Sequence, residues 1–414
     1  MMRAGAVAAA LAASLLAGSP APAQPPRADV VHWWTAGGEV AAVQALAQAY
    51  RSAGGQWRDL AVASADQARA IARNRITAGN PPLAAQFNLS REFTELARQG
   101  RLNTLDEVAA QGRWAQVLPP ALYQAIQVDG HVYAAPLSLH MPVWLWSSSA
   151  ALQRAGVAQP PRSMDELFAA LDKLRAAGLV PLAHGGQPWQ DLLLFTAVLV
   201  NQGGRELYLQ ALQQRSAAAW RSDAMRQVLL SFKRLRAYVD PASPGRDWND
   251  STALLIAGRA GLQFMGDWAK GEFAQAGLQP GRDYGCTPGL SAQAPYVVDG
   301  DLFVFPKGPD PAAQRLLARV VTAADTQREF SARKGSVPVR LDLDPASLDP
   351  CARLGAQRLR EPARLVPSPE TLLPPAQHRA LEQAISDYWH REQPVERVQQ
   401  SLAQALPDPD RRQP

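Results

Sequence analysis

The sequence predicts an α/β protein of two lobes, and three observations carry that expectation. Strand and helix patterns alternate along the chain with short connections, 414 residues exceed one small domain, and 47% of them are hydrophobic, enough for a large buried core. The same composition excludes disordered, collagenous and disulfide-scaffold classes. Formal net charge is +5, yet arginine is scattered and forms no run of five or more, so no nucleic-acid arm is expected.

The first residues read as an export signal. Met1-Met2-Arg3 gives a positive start, residues 4–17 an apolar stretch and Ala21-Pro22-Ala23 a small-x-small cleavage site, which predicts a signal peptide over 1–23. The stretch is shorter than the roughly 20 residues that span a bilayer, and no other segment is long and apolar enough. A protein outside the cytoplasm without membrane insertion is expected. No cysteine follows the apolar run, so no lipid anchor is expected either. Cys286 and Cys351 are the only cysteines; in an oxidising compartment the pair favours one disulfide, with two buried free thiols as the alternative.

Residues 30–33 form a β-branched run that predicts a strand, and Thr35-Ala36-Gly37-Gly38 a turn. Val40, Val43, Leu46, Ala47 and Tyr50 then fall at helical spacing up to Gly54-Gly55. A strand at 57–62, a helix at 65–78 and a strand at 83–87 after Asn80-Pro81-Pro82 complete a β-α-β-α-β order, which argues for a parallel sheet covered by helices. Asp129-Gly130 predicts a hairpin between 126–128 and 132–134, with a helical region beyond it. Ser163 and Glu166 make a capping box for a helix ending at Gly178, followed by a strand at 180–183. Residues 192–200 are apolar on nearly every face and predict a buried helix. Strands are expected at 261–264 and 302–305, helices at 311–321 and 375–388, and a frayed polar end from 407 to 414.

Signatures of catalysis and metal binding are missing. The chain has no phosphate loop, no Gly-x-Ser-x-Gly, no His-Glu-x-x-His and no Cys-x-x-Cys, and its six histidines are spread singly, so neither a cofactor nor a metal is expected. Tryptophan is informative by contrast. Trp33, Trp34, Trp144, Trp146, Trp189, Trp248 and Trp268 each stand beside polar planar residues. A pyranose needs such a mixture, because its CH-rich face packs on an indole while carboxylates and amides bond to its hydroxyls. Core packing is the alternative for each ring. Trp34, at a strand's C-terminal end before a Gly-rich turn, stands where ligands bind in open α/β sheets.

Four separated motifs carry a family resemblance: His32-Trp33-Trp34-Thr35-Ala36-Gly37-Gly38-Glu39, the stretch Pro181 to Asp191, Met265-Gly-Asp-Trp-Ala-Lys-Gly-Glu-Phe273, and Lys334-Gly-Ser-Val-Pro-Val-Arg340. In that order they resemble the glucose/mannose-binding branch of the extracellular solute-binding proteins of family 1, which serve ABC sugar importers. The resemblance implies a type II periplasmic-binding-protein fold, an interlobe cleft and crossover segments. Lobe 1 would comprise 24–137 plus 303–345, and lobe 2 would comprise 138–302 plus 346–414. It implies sugar contacts from Trp33 or Trp34, Glu39, Gln86, Asn88, Trp248, Asp301 and Lys334, with His140, His184, Asp267 and Thr371 in support. Glu39 could instead be a helix N-terminal carboxylate favoured by the dipole, Asp301 a turn cap, and Lys334 a solvated surface residue.

This chain departs from the family pattern at Asn88, Met141 and Thr371, where relatives carry Lys, Arg and His. A larger pocket with fewer donors than one for glucose is implied. The expected protein is a monomeric periplasmic sugar-binding protein that performs no catalysis and delivers its sugar to the permease subunits of an ABC importer. A secreted glycoside hydrolase is the rival, but it needs two carboxyl groups about 5 to 10 Å apart across a glycosidic bond, and no such pair is recognisable. A sensor subunit for a chemoreceptor shares the same binding physics.

Overall fold

The computed structural model describes residues 25–407 except Ala292. The expected signal peptide and most of the polar tail lie outside the described residues. The strands are β1 (Arg27–His32), β2 (Gln56–Ala61), β3 (Ala84–Asn88), β4 (Gln127–Val128), β5 (His131–Val132), β6 (Ala134–His140), β7 (Trp144–Ser148), β8 (Val180–Leu182), β9 (Ala260–Met265), β10 (Tyr284–Thr287), β11 (Tyr296–Val304) and β12 (Leu365–Pro367).

β1 pairs in parallel with β2 and β3, as the β-α-β order requires, and the helices Gly37–Ser52 and Ala65–Thr77 make the connections. β11 joins this sheet antiparallel to both β3 and β6. A second sheet runs in the order β10-β7-β9-β8. Asp129 and Gly130 both take positive φ, 51° and 83°, so β4 and β5 are joined by the tight turn their sequence demands. The Ser163 hydroxyl accepts from the Glu166 amide at 3.2 Å and starts the helix Met164–Ala176.

Two hydrophobic cores result. The first holds Val30, Leu46, Phe87, Trp114, Phe303 and Val339. The second holds Trp144, Trp146, Phe195, Leu262, Tyr388 and Trp389. The chain passes between them three times: after Leu139, within β11, and between Val339 and Cys351. These passages lie side by side, because β6 pairs with β11 and Leu139 bridges Val337.

Three local expectations are corrected. β11 begins at Tyr296, well before 302, because the polar Asp299-Gly300-Asp301 run that hides it in the sequence has internal partners: Asp299 accepts from the Gly300 amide, and Asp301 from Gln86 and Ser138. The chain beyond the hairpin first forms β6 and β7 instead of helix. Pairing of β7 with both β9 and β10 decides this, and the Trp146 indole donates to the Met265 carbonyl at 2.9 Å. Lastly, the buried helix Pro188–Val198 ends in a π turn over Leu199–Gly203, just before Gly204 at φ 75°. Cys286 on β10 and Cys351 at the start of the helix Pro350–Arg358 are joined in a disulfide. Among the described residues no helix is long and apolar enough to cross a membrane.

Candidate functional site

Where the three passages meet, the structure gathers polar groups that the sequence scatters over hundreds of residues. β11 carries Asp301, 1% exposed, whose carboxylate accepts from Gln86 Nε2 and Ser138 Oγ, each at 2.9 Å. Lys334, the last residue of the helix Ala324–Lys334, places Nζ 3.1 Å from Asp301 Oδ2. Burial alone would neutralise both groups. Their mutual attraction wins, holding the Asp301 carboxyl below its usual range and the Lys334 ammonium above its own. Lys334 is therefore a buried, paired cation and Asp301 a mid-strand acceptor, which removes the surface and turn-cap alternatives.

Two further carboxyl groups face the same ammonium. Glu39 Oε2 accepts from the Thr35 and Ala36 amides at 3.1 and 3.2 Å, so it does serve the helix start, while burial pushes its pKa up to about 7 against the attraction of Lys334. Asp267, just after β9, accepts from the Met141 amide through Oδ2 at 3.1 Å; burial raises it to about 7 as well. Its other oxygen, Oδ1, is buried without a partner, and so are both ring nitrogens of His140 at the end of β6. Burial lowers His140 to about 4, so the imidazole is neutral.

Tryptophans wall this cluster. Lys334 Nζ lies 5.8 Å from the Trp268 ring and 5.9 Å from the Trp34 ring. Trp268 in turn lies 5.3 Å from His140 and 6.5 Å from both Trp189 and Trp248. Trp248 is half-buried at the start of the helix Trp248–Ile256. Trp34 is 1% exposed and packs on Phe303 and Phe330, which makes it a core ring whose indole N–H remains unpartnered. Trp33 is half-buried; its amide donates to Gln86 Oε1 at 3.0 Å and its ring lies 5.5 Å from the Arg69 guanidinium.

The lobes touch on two sides of this cluster. On one side Gly38 donates to Glu272 Oε1 at 2.7 Å. On the other Asn88 donates to Glu370 Oε2 at 2.8 Å, and the Thr371 hydroxyl donates to the Leu89 carbonyl. A cavity of about 370 Å³ opens beyond Asn88, between the helix Ala65–Thr77 and the helix Pro375–His390. His184 is not brought to the cluster. It bonds Asp191 at 2.8 Å and packs on Trp389, inside the second core. The Met141 side chain is buried in that core as well.

Sequence reasoning named Trp189 and Trp268 among the rings suited to a sugar but not among its contacts, and it did not select Ser138, Arg69 or Glu370. The two tryptophans carried a usable signal, since Trp268 follows Asp267 directly within the third motif. Arg69 and Glu370 carried none, because only the packing of the helices Ala65–Thr77 and Pro369–Leu372 brings them together. No group of three His, Cys, Asp or Glu side chains suited to a metal occurs among the described residues.

Residues 6–328 match the family model of the bacterial extracellular solute-binding proteins. The chain is 41% identical over 356 residues to a probable sugar-binding periplasmic protein of Rhizobium meliloti (strain 1021), covering 85% of each. A chitin oligosaccharide binding protein superposes with a TM-score of 0.78 at 18% identity, over 92% of this chain and 98% of that one. The bacterial solute receptor AcbH, described as having an exclusive preference for β-D-galactopyranose, gives 0.77 at 19% identity over 92% and 97%. At such identities the two structures speak for the fold.

Proposed function

The chain belongs to the bacterial extracellular solute-binding proteins, and from that premise we propose that it captures a sugar between its lobes in the periplasm and delivers it to an ABC importer. The observation that carries this reading is the set of unpaired buried polar atoms beside aromatic rings: Asp267 Oδ1 and both His140 nitrogens, next to Lys334 and facing Trp268. Each buried group left unpaired costs about 1 to 3 kcal/mol. Sugar hydroxyls, which both donate and accept, relieve that cost while the ring face stacks on an indole.

Lys334 and Asp301 supply charged hydrogen bonds worth roughly 1.5 to 3 kcal/mol each. Two or three of them with a stacked ring reach micromolar affinity, about 8 kcal/mol. Trp33, Glu39, Gln86 and Asn88 edge the first lobe's side of the pocket and Trp248 stacks from the second, with Asp267, His140 and Thr371 holding them. Trp34 meets the ligand only through its indole N–H. The lobes divide at the three passages, near 137, 302 and 345. The protein acts as a monomer, performs no catalytic step, and stands nearest the glucose/mannose-binding branch. With Asn88 and Thr371 in place of longer cationic donors, a substituted hexose or short glycoside is preferred to glucose.

A thermal-shift panel of mono- and disaccharides tests this, since a ligand at 100 times its dissociation constant adds about 2.7 kcal/mol. At least one sugar should stabilise the protein and be recovered unchanged by NMR. Trp248→Ala should abolish that stabilisation while leaving the unliganded melting temperature nearly unaltered. No stabilisation by any sugar, or conversion of the sugar, would defeat the reading.

A further inference from the structure

The cavity beyond Asn88 has walls from both lobes, and they are rich in guanidinium groups. Arg69 and Arg73 come from the helix Ala65–Thr77, Ser90 and Arg91 from the start of the helix Arg91–Arg98, and Glu370 and Arg379 from the opposite lobe. Arg69 is nine-tenths buried along its side chain. It reaches Asp66 at 2.6 Å and Glu92 at 3.2 Å, yet its Nη1, 3.1 Å from Glu370 Oε1, makes no hydrogen bond. Ser90 Oγ, on the same wall, is buried without a partner too.

The charges lining the cavity do not cancel. Asp66, Glu92 and Glu370 face four arginines; Glu92 is shared by Arg69 and Arg73, and Glu370 is shared with Asn88. Arg91 and Arg379 are exposed at the rim and have no ion-pair partner among the described residues. Burial and the neighbouring Arg69 and Arg379 hold the Arg73 guanidinium below its usual range, as crowded like charges must. An anion entering here would meet Arg69 Nη1 and Ser90 Oγ on the wall and two free guanidiniums at the mouth.

The geometry points to a subsite for an acidic group carried by the sugar, a carboxylate or a phosphate ester. This rests on the sugar-binding reading, and two contacts tie the cavity to that site: the Arg69 guanidinium lies over the Trp33 ring, and Asn88 shares Glu370 with Arg69. The acid takes up the cation excess while the ring remains against the polar cluster. A pocket that lost longer donors at Asn88 and Thr371 thus gains a charged extension beside them.

Calorimetry on matched pairs tests this: glucose with glucuronate, galactose with galacturonate, and glucose with glucose 6-phosphate, each at low and high salt, with inorganic phosphate as a separate probe. In at least one pair the acidic member should bind tenfold or more tighter than its neutral partner, and the advantage should shrink with salt. A uronate preference assigns the carboxylate, and a phosphate-ester preference assigns the phosphate. The double variant Arg91→Gln with Arg379→Gln, both at exposed positions, should cut the acidic-to-neutral ratio at least threefold without lowering the unliganded melting temperature. Neutral sugars binding as tightly as every acidic partner would overturn the subsite and leave sugar binding standing. Inorganic phosphate binding as tightly as any acidic sugar would also overturn it, since the cavity would then hold a free anion. If neither member of any pair binds, the subsite falls, and the wider panel of mono- and disaccharides decides the sugar-binding reading separately.

Discussion

Glu39 and Asp267 are carboxyl groups with pKa values near 7, and burial is the main cause in both. A group whose pKa is raised in the closed form keeps a proton there that the open form releases, so closure is favoured below the usual carboxylate range and is lost as pH rises through 7. At about 1.4 kcal/mol for each pKa unit, whatever part of each shift closure produces opposes closure at pH 8. Glu272, half-buried and also raised, acts in the same direction. His140, lowered to about 4, opposes them, as one imidazole against several carboxyls; Lys334 and Asp301 hold their charges throughout. The unliganded protein should therefore show a larger radius of gyration by X-ray scattering at pH 8 than at pH 5, and Asp267→Asn should reduce the difference. An equal radius at both pH values would sink this account. The sequence could name these residues but not their charge states, because those states follow from burial in the folded chain.

At the scale of elements, two helix starts meet in close contact across the lobes. A Cβ on Gly38 would lie 2.7 Å from the Gly271 backbone of the opposite lobe, and one on Gly271 would lie 2.7 Å from the Arg333 carbonyl. Alanine is the better helix former by about 1 kcal/mol, so helix stability does not explain glycine at the first turn of Gly37–Ser52. Close contact across the cleft does. Gly38→Ala should weaken sugar binding at least tenfold by calorimetry while the unliganded melting temperature holds or rises; unchanged affinity would remove the contact from the closing mechanism. Strand β11 teaches the complementary lesson. Its Asp299-Gly300-Asp301 run broke the apolar alternation that marks a strand, and it did so because the site's central acceptor is placed there. Local pattern failed where a polar residue with buried partners stands in mid-strand.

At the scale of the whole molecule, the disulfide lies within one lobe. Cys286 and Cys351 are 65 residues apart and both belong to the second core's side of the passages, so their bond ties the landing point of the third passage to the β10 edge of the sheet. The chain-entropy model gives about 4 kcal/mol for a loop of this length. Cys286→Ser with Cys351→Ser should lose stability of that order in urea melts yet keep most of its sugar affinity, because no candidate contact depends on the bond. An affinity loss exceeding tenfold would show that the third passage helps set the cleft geometry. Delivery to an importer requires a form that a partner can distinguish from the empty one, and the three adjacent, antiparallel passages are the chain segments about which the two cores would turn.

The sequence by itself determined the alternation of strands and helices, the parallel start of the first sheet, the hairpin at Asp129-Gly130, the capped helix after Ser163 and the family to which the four motifs belong. Each depends on neighbours in sequence: turn dihedrals, helix caps, apolar periodicity, or residues standing together in a motif. Only the tertiary structure decided that β6 and β7 are strands, that Trp34 is a core ring while Trp268 faces Lys334, and that Arg69 meets Glu370 across the cleft. The physical reason is the same in each case. Strand pairing, burial and the charge of a buried acid are set by residues hundreds of positions away, and a local pattern carries no record of them.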